Sequence, residues 1–329
     1  MSHEEELPEF PLSIFRGSKD AIPSTADAFV ISLPAKIEDS LDWKAPRETA
    51  LKLSGLKIVF ELDFGLFKSL ALPLDDNMQF QSLSLACREL RKLVQEIEIS
   101  GVILGYIQAE ELFELRWTES EREGFIEWAK SKFEIDVKPE LAAITPEGRL
   151  LLKLYALEIH AHFLNLLGDE LVDSCPTLLL IDCTNISGSL ENLLLHSQEL
   201  FEPIECILKN SGFFTLRPIL KDLDSGECIE LPSNFPEKRM GVLVPSLQKA
   251  KTIDEYHKLL QLLQSLEGHE LFAIPEESIN TSWDELEWLF MGSAPTNLET
   301  NRSIKGFIAA GGRVATLSEL PSFHKELNL

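Results

Sequence analysis

The chain has 329 residues, a formal net charge of −24 and a pI near 4.7, so we expect neither nucleic acid nor an anionic membrane as a partner. Its 44% hydrophobic and 26% charged residues are ordinary for a globular protein, and its length suffices for one large domain and a smaller one. The five cysteines lack CxxC spacing, and the N-terminus MSHEEELPEF lacks the apolar region of a signal peptide. The apolar runs are as long as strands and shorter than a membrane-spanning helix. These features predict a cytoplasmic protein with reduced thiols.

The first part of the chain alternates apolar runs with amphipathic stretches. Runs rich in β-branched and aromatic residues predict buried strands at residues 11–16, 28–33, 56–62, 102–107 and 177–183. Apolar residues at helical spacing predict helices at residues 45–53, 79–97, 119–133, 146–171 and 189–208. Thr118 or Ser120 is expected to cap the third helix, and Thr145 and Pro146 to open the fourth. Because parallel strands need crossover connections, this order predicts a parallel α/β domain.

A second unit follows a polar segment at residues 221–236. We interpret this segment as a loop and a domain boundary, reached after a further strand at 213–220. Beyond it, strands are predicted at residues 240–245, 271–274, 286–291 and 313–317, and helices at 253–266 and 298–310. Gly311 and Gly312 are expected to end the last helix, because a left-handed backbone costs glycine little. This rhythm predicts a small doubly wound α/β domain over residues 237–329.

Carboxylates follow several of the predicted strands. Asp63, Glu110 and Asp182 each come where an apolar strand ends, and α/β barrels and open α/β sheets place their chemistry at these ends. Hydrolysis of a glycosidic bond needs two carboxylates that flank the bond. Glu110 is therefore the leading catalytic candidate, with Asp63 and Asp182 as further candidates. Gln108 and Asn185, at the same strand ends, are candidate substrate ligands.

Aromatic residues near these strand ends have two interpretations. Tyr106, Trp117 and Trp43 can stack on the apolar face of a sugar, or they can serve as core residues without a ligand. The sequence leaves both open.

Motifs for metals, nucleotides and nucleophilic catalysis are missing. His160 and His162 are two residues apart in a predicted helix, so their side chains point in different directions and do not share one ion. The sequence has no HExxH, CxxC, GxSxG or phosphate-binding glycine loop. We expect no metal and no other cofactor.

The stretch VILGYIQAEELF and the helix FIEWAKSKF resemble the fourth-strand region of the family 42 glycoside hydrolases, the β-galactosidases of the large (β/α)8 clan. In that family an Asn-Glu pair follows the strand, and its Glu is the acid/base. Glu110 matches the Glu, whereas Ala109 stands where the family has the Asn that holds the sugar 2-hydroxyl. Trp283–Met291 and Ala309–Leu317 resemble parts of that family's amidotransferase-like trimerisation domain.

The resemblance implies a fold and leaves two functions open. The fold is α/β, with a (β/α)8-like, incomplete barrel over residues 1–236 and the small flavodoxin- or amidotransferase-like domain over 237–329. One function is a glycoside hydrolase in which Glu110 protonates the leaving oxygen and a second carboxylate attacks the anomeric carbon. The alternative is a catalytically silent relative that binds a carbohydrate, another small molecule or a protein. The C-terminal unit is expected to support a homo-oligomer.

Overall fold

The computed structural model describes most of the predicted elements. The described residues are 13–15, 22, 24, 26–34, 43–53, 55–63, 78–115, 117–171, 175–183, 189–195, 205–209, 228–230, 240–245, 253–266, 269, 271–276, 279–283, 286–295 and 297–320.

A parallel sheet forms the first part of the protein. Its strands are β1 Ser13–Phe15, β2 Ala28–Pro34, β3 Lys57–Asp63, β4 Gly101–Gln108, β5 Thr177–Asp182, β6 Glu205–Lys209 and β7 Cys228–Glu230. The order is β6-β5-β4-β3-β2-β1-β7. Strands β1 to β6 are parallel to their neighbours, and β7 pairs antiparallel with β1. The six parallel strands curl into a half-barrel, which is compatible with a partial (β/α) barrel.

Helices connect these strands and cover one face of the sheet. They are α1 Lys44–Lys52, α2 Met78–Glu96, α3 Glu119–Phe133, α4 Pro139–Ala142, α5 Pro146–Asp169 and α6 Ser189–Leu195. Of the two predicted caps of α3 it is Thr118 that caps the helix, where its side chain and that of Glu121 form a capping box. As predicted, Thr145 caps α5 with Pro146 at the first position. By length and composition α5 could cross a membrane, but 61% of its most apolar window is buried inside the protein.

A second sheet is formed by the C-terminal part of the chain. Its strands are β8 Met240–Val244, β9 Phe272–Pro275, β10 Trp288–Met291 and β11 Arg313–Thr316, and its helices are α7 Ile253–Ser265, α8 Ile279–Ser282 and α9 Leu298–Ala309. All its strand pairs are parallel, in the order β11-β10-β8-β9. Gly311 follows α9 with a φ of 100°, so glycine ends this helix as predicted.

The two sheets share a hydrophobic core. Val242 and Val244 of β8 belong to the same cluster of buried residues as the helices over the first sheet, whereas Leu243 packs in a smaller cluster with α8 and α9. The rings of Phe133 in α3 and Tyr256 in α7 meet edge to face, with centroids 6.4 Å apart. The second sheet therefore carries apolar side chains on both faces, as expected for a sheet covered by helices on both sides.

Three predicted elements differ from the structure or lie outside its described part. The helix predicted over 189–208 ends at Leu195, and the last residues of that stretch belong to β6. A short apolar run fits both the helical and the strand spacing of apolar residues, so the pattern alone could not distinguish a helix from a strand here. The predicted loop at 221–236 contains β7, which pairs with β1. The strand predicted at 213–220 lies outside the described residues.

Candidate functional site

The two faces of the first sheet differ in character. Alternate residues of β2 and β3, such as Ile31 and Phe60, belong to the large core cluster under the helices. The residues between them point to the opposite face, because side chains alternate along a strand. Four polar side chains lie on this opposite face, within two residues of a strand's carboxyl end: Ser32, Glu61, Gln108 and Asp182. We call these four residues the polar face.

Asp182 and Gln108 are neighbours at the carboxyl edge of the sheet. They occupy paired positions as the last residues of β5 and β4. The Gln108 side-chain amide donates from Nε2 to Oδ2 of Asp182 over 3.5 Å, at the long limit of a hydrogen bond. Asp182 is only 7% exposed. The sequence named both residues as candidates, and the structure brings them together.

Glu61 is a second buried carboxylate on the polar face. It is 4% exposed, and its Oε2 accepts a hydrogen bond from the Ser32 hydroxyl over 3.1 Å. Sequence reasoning favoured Asp63 at the end of the same strand instead. The alternation in KIVFELD carried a signal, because Ile58, Phe60 and Leu62 occupy one face and leave Glu61 on the other.

Glu110 lies beyond the sheet, in a 3₁₀ helix at Ala109–Phe113 that directly follows β4. Its side chain is exposed. The preceding Ala109 is fully buried in the core cluster. Glu111, the residue after Glu110, has a raised pKa, mainly because it is partly buried and also because the carboxylates of Glu114 and Glu110 are close.

The 3₁₀ helix is anchored on α5. Nδ1 of the fully buried His160 lies 2.8 Å from the carbonyl oxygen of Leu112, and since a carbonyl only accepts, Nδ1 carries the proton. Burial lowers the pKa of His160 to about 4, although this hydrogen bond acts in the opposite direction. His162 on the same helix is exposed. Within the described part of the chain, no three His, Cys, Asp or Glu side chains are grouped as metal ligands.

The other predicted site residues do not belong to the polar face as described. Asp63 ends β3 and Tyr106 lies in β4, but their side chains are outside the described part, as is the whole of Asn185. Trp43 is buried in the core cluster. Trp117 lines a cavity formed with α3, α4 and α5.

Comparisons with known proteins find remote similarity. No family model and no curated protein matches the sequence. A β-galactosidase from Bacillus circulans sp. alkalophilus is similar in structure with a TM-score of 0.47 and 8% identity, over 95% of this chain and 71% of that one. An N-terminal ketoreductase from a macrolactin assembly line is similar with a TM-score of 0.22 and 11% identity, over 92% of this chain and 56% of that one. Neither similarity defines a family.

Proposed function

We propose that the protein is a glycoside hydrolase-like enzyme whose site lies at the carboxyl edge of β4 and β5. The observation that carries this proposal is the pairing of Asp182 with Gln108, two residues before Glu110. The substrate class comes from the sequence resemblance around Glu110. In this proposal Glu110 is the acid and Asp182 is the second carboxylate.

Covalent geometry allows these two carboxylates to reach one bond. Glu110 is two residues from Gln108, so their Cα atoms are at most about 7.6 Å apart. Neighbouring strands are about 4.8 Å apart, so the Cα atoms of Glu110 and Asp182 are within about 12 Å. Retaining glycosidases separate their carboxyl groups by about 5 Å and inverting ones by about 6.5–9.5 Å. At this Cα separation the Glu110 and Asp182 side chains are long enough to bring their carboxyl groups to either of these distances.

The chemistry follows from the two roles. Glu110 gives its proton to the glycosidic oxygen as the bond between that oxygen and the anomeric carbon breaks. In one route the carboxylate of Asp182 attacks the anomeric carbon, and the resulting glycosyl ester is hydrolysed by a water that Glu110 deprotonates. In the other route Asp182 takes a proton from the water that attacks the anomeric carbon directly. The Gln108 amide orients Asp182 through their hydrogen bond.

A second candidate is a silent relative that binds a carbohydrate without cleaving it. The burial of Ala109 in the apolar core favours this alternative. At this position the resembled family holds the sugar 2-hydroxyl with an Asn, whereas here the side chain faces the core. Binding would then use Asp182 and Gln108.

Hydrolysis of a panel of chromogenic glycosides separates these candidates. For the enzyme, Glu110→Gln and Asp182→Asn should each lower kcat/KM by about 10²-fold or more, whereas the matched control Glu114→Gln, another exposed acid, should not. Saturable glycoside binding without hydrolysis, abolished by Asp182→Asn, would favour the silent relative. Hydrolysis or binding that is unchanged in Asp182→Asn would contradict both.

We also propose a cytoplasmic, self-associating protein. Cys87, Cys175 and Cys183 are buried and form no disulfide, which supports a reducing compartment. Self-association is carried over from the resemblance of the C-terminal unit. Light scattering across a concentration series tests it, and a constant monomer mass would contradict it.

A further inference from the structure

A cavity outside the polar face brings together two opposite charges on an apolar wall. It has a volume of about 250 Å³, and the described residues that line it are Trp117, Arg122, Pro139, Glu140, Ala143 and Leu152. The walls come from the segment before α3, from α3 itself, from α4 and the residue after it, and from α5. None of the polar-face residues is among them.

The walls are held in place by packing. The Trp117 ring lies edge-on to Phe125, with centroids 5.7 Å apart, and stacks on Tyr155 at 6.4 Å with the ring planes 30° apart. Gly148 at the start of α5 lets α4 approach closely, because a Cβ there would lie 2.3 Å from the Ala142 carbonyl oxygen. The cavity is therefore preformed, as small-molecule sites usually are.

The two charges in the cavity do not neutralise each other. Arg122 contacts Glu119 at 3.7 Å through side chains that are 52% and 80% exposed, a geometry that contributes little. Glu140 forms no ion pair within the described part of the chain. The indole nitrogen of Trp117 likewise makes no hydrogen bond to any described residue. The residues that line the cavity thus include a cation, an anion and an indole beside apolar side chains.

We propose that this cavity binds a free α-amino acid with an apolar side chain. Its carboxylate would pair with Arg122, its ammonium group with Glu140, and its side chain would lie on Trp117 and Leu152. A zwitterion fits better than a neutral sugar, because hydrogen bonds between charged groups are roughly twice as strong as neutral ones. The volume also suits a small metabolite, since drug-sized ligands occupy about 300–1,000 Å³. This proposal does not depend on the function proposed for the polar face.

Calorimetric titration of the full chain tests the proposal with L-leucine and analogues that each lack one charge. Because both side chains are exposed, Arg122→Gln and Glu140→Gln should each weaken L-leucine binding by about two- to fivefold. The matched controls Lys130→Gln and Glu123→Gln change exposed charges on α3 that do not line the cavity, and they should leave binding unchanged.

The analogues assign each charge to its partner. L-Leucinamide has no carboxylate, so Arg122→Gln should not weaken its binding further. N-acetyl-L-leucine has no ammonium group, so Glu140→Gln should not weaken its binding further. The proposal is overturned if neither L-leucine nor L-phenylalanine binds, if both variants bind L-leucine normally, or if D-galactose competes with L-leucine. Glu110→Gln and Asp182→Asn should bind L-leucine normally, so the outcome is independent of glycoside hydrolysis.

Discussion

Replacing His160 with asparagine should remove one specific part of the protein's sensitivity to acid. His160 is fully buried, and its folded-state pKa is about 4, against an ordinary value of 6.5. Between these two values the unfolded chain binds a proton that the folded protein does not bind. Stability therefore falls as the pH decreases through this window, and the contribution is fully present above pH 6.5.

The magnitude follows from the linkage between proton binding and folding. Each pH unit in the window costs about 1.4 kcal/mol, so His160 should destabilise the protein by about 2 kcal/mol at pH 5 relative to neutral pH. Below the folded-state pKa the loss levels off at about 3 kcal/mol. Because the side chain is buried, solvent screening does not reduce these values.

Urea unfolding at about pH 7.5 and about pH 5 gives the change in the free energy of unfolding on acidification, and this change is compared between the variant and the parent. An asparagine amide can donate to the Leu112 carbonyl as Nδ1 of His160 does, but it takes up no proton. His160→Asn should lose about 2 kcal/mol less on acidification than the parent. The control His162→Asn, on the exposed side of the same helix, should behave like the parent. Equal losses in His160→Asn and the parent would refute the reasoning.

Three further predictions concern packing and reactivity. Glu121→Ala should lower the free energy of unfolding by about 1–3 kcal/mol, because it removes a buried carboxylate that accepts a hydrogen bond from the Thr118 backbone at the start of α3. In the same urea titration the control Glu123→Ala should change the free energy of unfolding by less than about 0.5 kcal/mol. Gly148→Ala should destabilise the folded protein by about 1–3 kcal/mol, because the new Cβ would meet the backbone of Ala142. This loss should outweigh the higher helix propensity of alanine, and a higher melting temperature of the variant would contradict the prediction. Three thiols should react with a disulfide reagent only on unfolding, because burial raises their pKa to about 11 or 12: Cys87, Cys175 and Cys183. Reaction of any of the three in the native protein, located by mass spectrometry, would show that its site opens.

Most helices and strands were predictable from the sequence because local patterns specify them. Five apolar runs in the first part of the chain became β1 to β5. The second unit has the predicted strands and helices, with the short helix α8 added between β9 and β10. Capping residues placed the starts of α3 and α5 within two residues, since their side chains satisfy backbone N–H groups locally. The short strands β6 and β7 were missed because their pairing partners, rather than their own sequences, define them.

The candidate site was only partly predictable. Strand-end position identified Gln108 and Asp182, but their contact depends on the parallel register of β4 with β5, which joins residues 74 positions apart. Its place after β4 and the family resemblance made Glu110 the leading residue, whereas Glu61, inside its strand, is the acid that the structure buries beside Ser32.

By itself the sequence determined the acidic charge, most of the strands and helices and the residues that cap α3 and α5, because composition, periodicity and capping act over a few neighbouring residues. Only the tertiary structure decided that Ala109 faces the core, that Gln108 reaches Asp182, and that Arg122 and Glu140 line one cavity. Each of these depends on how distant segments pack, and the burial and pairing that packing creates are not encoded in any single stretch of the chain.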